Sequence, residues 1–227
     1  MPLAGEIALS KDHAHYLGTV LRKRKGDAIR LFNARDGEWA AEILGVSKRA
    51  MTVRVTERLR EPYAAPDIRL LFAPLRKHRT ATVLEKATEL GVRSLQPVIT
   101  ERTQFPKLNI ERARAQIVEA AEQTERLDLP VLHEPIPFMD ALGDRTLIFA
   151  DEAGDARSAL DALARTTLPL DILIGPEGGF TPSERDAVRS RRNTTPVTLG
   201  PRILRADTAA ISLLTLVQST GGDWRQN

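Results

Sequence analysis

Apolar positions recur with two different periods along this chain, and the change of period falls near residue 66. Before it, Ala28–Asn33, Glu38–Val46 and Ala50–Arg58 alternate apolar and polar residues with β-branched content, which predicts three strands. Arg35-Asp36-Gly37 supplies a hairpin turn between the first two. The stretch Asp12–Leu21 instead puts Tyr16, Leu17 and Val20 on one face, predicting a short helix capped by Asp12, with a turn at Gly26-Asp27. Arg60–Pro66 holds two prolines and no period, so it reads as a linker between a domain at 1–66 and another at 67–227.

Beyond Asp67, strands and helices alternate. Strands are predicted over Ile68–Ala73, Ser94–Ile99, Thr146–Ala150, Leu170–Gly175 and Pro196–Leu199. Helices are predicted over Thr80–Leu90, Glu111–Glu125, Asp155–Arg165, Pro182–Ser190 and Thr208–Thr220. This rhythm specifies an α/β domain with a parallel sheet covered on both faces.

Composition narrows the classes of function. The chain has no cysteine, which removes disulfides, thiolate metal sites and a cysteine nucleophile. The four histidines, at 13, 15, 78 and 133, do not stand at ligand spacing with carboxylates, so no metal is expected. No apolar run approaches the roughly 20 residues of a membrane-spanning helix, and the first residues lack the basic-then-apolar pattern of a secretory leader. No membrane contact and a cytoplasmic location are therefore expected. The net charge is +3, but residues 1–66 hold 12 Lys and Arg against 8 Asp and Glu, and the remainder 21 against 22. The basic surplus is densest at Arg22-Lys23-Arg24-Lys25, a run suited to phosphates or to a solvated turn.

Two loops leave strand ends with unusual composition. Gly175-Pro176-Glu177-Gly178-Gly179-Phe180 follows an apolar strand and runs into Thr181-Pro182-Ser183-Glu184, which has the form of a capping box. A glycine-rich loop opening a helix usually suggests phosphate. Glu177 in its middle opposes that and favours a ligand with a cationic or neutral polar head, if the turn binds anything. The second loop, Leu199–Ala209, carries Ile203 and Leu204 between two arginines, with Asp207 or Thr208 as cap of the last helix. These two apolar residues either wall a flat ligand or plug the core.

The pair GPEGGF and LGPRILRADTA, in this order and separation, resembles the uridine-N3 methyltransferases of 16S ribosomal RNA (the RsmE family) within the SPOUT class of trefoil-knotted methyltransferases. Lys86–Val92 with Pro97, Thr100-Glu101-Arg102-Thr103, Ala120-Ala121-Glu122-Gln123, and His15-Tyr16-Leu17 leading to Val20-Leu21-Arg22 and Gly26-Asp27 extend the likeness over nearly the whole chain. There are departures. The short strand usual before the Pro2-Leu3 region is missing or reduced. Thr124-Glu125-Arg126 stands for a more familiar Ser/Cys-Gly-Arg, Asp128 for a basic residue, and Asp207 for Glu.

The resemblance implies a PUA-like RNA-docking barrel at 1–66 and a knotted domain at 67–227 that binds S-adenosylmethionine as a homodimer. It places cofactor contacts on Phe149, Asp151, Gly175, Glu177, Gly178, Leu199, Gly200, Ile203, Leu204 and Ala209. The partner would be 16S ribosomal RNA in the small ribosomal subunit. Methylating uridine N3 requires loss of its proton and stabilisation of the resulting anion. Arg102 and Arg126 are expected to give that cationic help, with Arg205 as a further candidate and a salt bridge or phosphate contact as the other reading of each. Glu177 is the expected base or sulfonium neighbour, ahead of Asp207. Arg22, Arg24, Lys25, Arg76, Lys77 and Arg205 are expected to meet RNA phosphates. A 2′-O-methyltransferase of transfer or ribosomal RNA, or an RNA-binding protein without catalysis, would share much of this pattern.

Overall fold

The computed structural model describes residues 5–47, 50–152 and 155–225, and the chain divides into two compact units at Ala64/Ala65. The first unit is a four-stranded antiparallel sheet in the order β1-β4-β3-β2, from Gly5–Ala8 (β1), Ala28–Asn33 (β2), Gly37–Val46 (β3) and Met51–Arg60 (β4). The register of β3 on β4 shifts between Glu38 and Trp39, Trp39 and Ala41, and Ile43 and Gly45. Bulges of this kind bend a strand and give the sheet its barrel-like curl. Ile29, Ala41, Ile43, Met51 and Val53 pack with Ala14 into the unit's core.

Two local expectations change in this unit. β1 was not anticipated, since four residues are too few to establish a period; Pro2 and Leu3 lie outside the described residues. The predicted helix is shorter, Lys11–His15 (α1), and Ser10 caps it in place of Asp12, its hydroxyl accepting from the His13 amide at 3.2 Å. The chain continues through a π-turn over Tyr16–Val20, closed by the Leu21 amide donating to the Tyr16 carbonyl.

The second unit is a parallel sheet with core order β10-β12-β9-β11-β5-β6-β7, and β8 pairs with β6. Its principal strands are Ile68–Phe72 (β5), Ser94–Ile99 (β6), Thr146–Ala150 (β9), Leu170–Ile174 (β11) and Thr194–Thr198 (β12). Two-residue strands at Val131–Leu132 (β7), Ile136–Pro137 (β8) and Arg157–Ser158 (β10) complete it. The helices are Lys77–Glu89 (α2), Ile110–Gln123 (α3), Ala159–Leu163 (α4), Pro182–Arg189 (α5) and Ala206–Gly221 (α6).

Strand residues alternate between two cores, which is why these segments read as continuous apolar runs. Leu70, Ile148, Ile172 and Ile174 face α2, α4 and α6, whereas Leu71, Leu147, Phe149 and Leu173 face Phe138, Phe180 and Val188. The helix predicted from Asp155 begins only at Ala159, because Arg157 and Ser158 are drawn into the sheet beside β12. α6 begins at Ala206 with Arg205 at its cap position and no side-chain cap bond, so neither Asp207 nor Thr208 caps it. The Asp207 Oδ1 accepts instead from the neighbouring Thr208 amide at 3.0 Å. At the opposite end of the strands, Asp171 is buried and accepts from Arg69 and from Arg145 Nε at 2.6 Å, tying β11 to β5 and β9.

Candidate active site

The carboxyl ends of β12, β9 and β11 lie side by side, and the loops leaving them enclose one cavity. In an open α/β sheet this is where ligands bind. The cavity measures about 900 Å³ and is lined by the loops after all three strands and by Arg79 of α2.

Local chemistry shapes the loop after β11. Thr181 caps α5 by accepting from the Glu184 amide at 3.3 Å, and Glu184 Oε2 accepts from the Thr181 amide at 2.9 Å, the reciprocal box read from sequence. Glu184 also reaches beyond its own helix: its Oε1 accepts from the Glu101 amide at 2.8 Å. A Cβ on Gly175 would lie 2.5 Å from the Phe180 ring, so the loop folds over that ring only with glycine there. Gly179 has φ +67, and a Cβ on it would lie 2.5 Å from the Glu152 carboxylate.

The structure distributes the expected residues unevenly. Asp151, Gly175, Glu177, Gly178, Leu199, Gly200, Ile203, Leu204 and Ala209 all line the cavity. Phe149 does not: it is wholly buried one layer below, edge-on to Phe180 with ring centroids 5.2 Å apart. Strand alternation sends its side chain into the opposite core, so only its backbone belongs near the strand end. The Asp151 carboxylate has no exposed surface and is clamped by Arg189 Nε at 2.7 Å and Arg185 Nε at 3.1 Å. Arg189 also holds Asp155, whose carboxyl is thereby lowered to about 2. Asp151 is thus neutralised by the protein itself and offers the cavity no free anion.

The arginines separate as well. Arg102 is exposed on the turn after β6, and its Nη1 donates to the Gly178 carbonyl at 3.0 Å and the Phe180 carbonyl at 3.4 Å, clasping the glycine-rich loop from outside. Arg126 is only 5% exposed and does not line the cavity. It donates to the Thr88 and Val92 carbonyls, each at 2.7 Å, and binds Asp128 through Nε at 2.7 Å and Nη2 at 3.0 Å. Asp128, the departure from a basic residue, is thus the counter-ion of Arg126. Arg205 lies on the cavity rim beside Arg202, and both are exposed. Arg22, Arg24 and Lys25 are exposed in the first unit, as are Arg76 and Lys77 at the start of α2.

Glu177 is not a free carboxylate either. Its Oε1 lies 2.7 Å from Nη1 of Arg79, which also stands 3.8 Å from Asp207 Oδ1. Arg79, Glu152 and Arg202 line the cavity without having been singled out as cofactor contacts; no local pattern marks Arg79 or Glu152, since their neighbours come from distant segments. Among the described residues no group of three or more acidic, histidine or cysteine side chains could hold a metal, and no helix is long and apolar enough to cross a membrane.

A parallel α/β sheet with its cavity at three adjacent strand ends, in a chain that opens with a small antiparallel sheet, defines a class. The pattern of the RNA methyltransferase domain family matches residues 63–218, and that of the RNA methyltransferase PUA domain matches residues 9–56. The ribosomal RNA small subunit methyltransferase E of Rickettsia conorii is 36% identical over 95% of this chain and 91% of its own length, and that of Bacillus subtilis 28% over 94% and 90%. The same enzyme from Neisseria gonorrhoeae, solved bound to S-adenosylmethionine, superposes with a TM-score of 0.84 at 25% identity, covering 99% of this chain and 96% of that one. A Legionella pneumophila methyltransferase in complex with the same cofactor gives 0.84 at 32% identity, over 97% and 94%. The chain belongs to the ribosomal RNA small subunit methyltransferase E family, with a parallel α/β RNA methyltransferase domain and a PUA-like antiparallel sheet.

Proposed function

We propose that this protein transfers a methyl group from S-adenosylmethionine to N3 of one uridine in 16S ribosomal RNA, acting in the cytoplasm as a homodimer on the small ribosomal subunit. The observation that carries the reading is the cavity formed where the Gly175–Gly179 and Leu199–Ala206 loops meet, in a chain of this family. Its volume falls in the range of small-molecule sites. Ile174, Val197, Leu199, Ile203 and Leu204 give it apolar walls suited to a flat purine, and the backbone of Gly175, Gly178 and Gly200 lines it as well. The bound cofactor would supply an electrophilic methyl group on a sulfonium.

The rest of the task falls to this chain's own residues. The loops hold the cofactor against the sheet and exclude water from the face they cover. The acceptor nitrogen must lose its proton, and the anion spread over O2 and O4 needs cations in place beforehand. Arg202 and Arg205, on the rim of the cavity, are positioned for that role or for a neighbouring phosphate. Arg102 supports the site through the Gly178 and Phe180 carbonyls.

The decisive experiment incubates the protein with S-adenosylmethionine and small subunits from a strain lacking its gene, then identifies the modified nucleoside by nuclease digestion and mass spectrometry. A single N3-methyluridine is expected. A 2′-O-methylated product would keep the fold and cofactor and overturn the assigned atom; no methylation of the small subunits despite measurable cofactor binding would overturn the substrate.

A further inference from the structure

None of the roles above uses Arg79, although three segments converge on it. It sits in the first turn of α2, with its side chain 15% exposed, and pairs with Glu177 of the glycine-rich loop, itself 28% exposed. Asp207, in the first turn of α6, stands 3.8 Å from the same guanidinium nitrogen. Arg79 and Glu177 both line the cavity. Charges this sheltered interact more strongly than on an open surface, so the pair governs the potential that a ligand meets beside the glycine-rich loop.

The sign of that potential matters if the ligand is the sulfonium cofactor, a reading on which this inference rests. In methyl transfer the bond from sulfur to the methyl carbon breaks as the bond from N3 to that carbon forms. The bonding pair stays on sulfur, and the N3 proton passes to a base or solvent. The sulfur therefore goes from positive to neutral. An uncompensated carboxylate beside it would hold the starting sulfonium more tightly than the transition state, in which that charge is already fading, and would slow the step.

We propose that Arg79 is a positioning residue that sets the charge of the cofactor cavity: by holding Glu177 in an ion pair, it limits the preference of the site for the sulfonium cofactor over its neutral thioether product. Arg79 fixes the carboxylate in place and cancels its charge. Asp207 sits at longer range, where it helps aim the guanidinium towards the cavity.

The test measures binding of S-adenosylmethionine and S-adenosylhomocysteine to the full chain by titration calorimetry, in the wild type and in Arg79→Met, Arg79→Lys, Glu177→Gln and the Arg79→Met/Glu177→Gln double variant. The readout is the ratio of the two dissociation constants, which loss of stability alone does not move. Arg79→Met should raise the preference for the sulfonium form by about tenfold, and Glu177→Gln should lower it by about tenfold. Arg79→Lys and the double variant should stay within about threefold of wild type. In turnover, Arg79→Met should lower kcat and the KM for S-adenosylmethionine together, the pattern of a more tightly held ground state. Ratios within about twofold of wild type in both single variants, or shifts of the same sign, would overturn the inference. If Arg79→Met does not fold, the Glu177→Gln ratio decides alone. Failure of the wild type to bind either ligand would bring down the cofactor reading itself, a result distinct from binding with unshifted ratios.

Discussion

Arg126, a candidate for the reaction in the sequence, is buried among protein partners, and we propose that its role is to hold the fold. Its guanidinium ties the end of α2 to the segment after α3, using Thr88, Val92 and Asp128 as partners. Replacing it with methionine leaves Asp128 and two carbonyls without their donor. Removing one partner of a buried pair costs roughly 3 kcal/mol, or roughly 10 °C in Tm for a domain of this size. Thermal unfolding should show that loss while affinity for S-adenosylmethionine stays within about threefold of wild type; lost turnover at an unchanged Tm would return Arg126 to the reaction. Arg102 should behave in the opposite way. Lysine there keeps the charge but lacks the planar fork that reaches the Gly178 and Phe180 carbonyls, so turnover should fall by about tenfold or more with little change in Tm.

At the scale of the element, the end of α3 is the clearest case of local strain. The Glu125 amide donates to the Glu122 carbonyl at 3.3 Å and the Arg126 amide to the Ala121 carbonyl at 2.9 Å, the paired bonds of a Schellman ending. That ending puts Glu125 at φ +53, where glycine is at ease and other residues are strained. The departure from the familiar Gly at this position is therefore a cost of backbone conformation. Glu125→Gly should raise stability by about 1 kcal/mol in urea unfolding. The capping box of α5 is the counterpart that works in both directions, since Glu184 closes its own helix and anchors the Glu101 turn.

For the whole molecule, carboxylates held by arginines set the response to acid. The Arg35 hydrogen bond lowers Asp36, the Arg145 hydrogen bond lowers Asp67, and that from Arg189 brings Asp155 to about 2. Folded values below unfolded ones mean that the stabilisation is present above the unfolded carboxylate value of about 4 and is lost as pH falls through the folded values. Asp223, raised by burial, acts in the opposite sense. The urea midpoint should therefore decline between about pH 4 and about pH 2 and change little just above that window. RNA binding is the second property of the whole molecule. Changing Arg22, Arg24 and Lys25 together to glutamine should weaken binding to small-subunit RNA and reduce the slope of log affinity against log salt by roughly 2. An unchanged slope would remove these exposed residues from the RNA contact.

Much was legible from sequence alone because local chemistry decides it. Alternation marks the segment that becomes β2, continuous apolar runs those that become β5, β9 and β11, and helical spacing α2, while the capping box marks the start of α5 wherever the chain goes afterwards. The two loops that line the cavity were visible because their glycine and apolar content at strand ends is unusual. Tertiary structure decided which charges are free. Asp151, Glu177 and Arg126 each count as a free charge in a sequence reading, yet the first is clamped by Arg185 and Arg189, the second is paired with Arg79, and the third is absorbed by Asp128 and two carbonyls. Strand alternation turned Phe149 away from the cavity in the same manner. The reason is one of range: hydrophobic period and capping act within a few residues, whereas ion pairs join residues that only the folded sheet brings together.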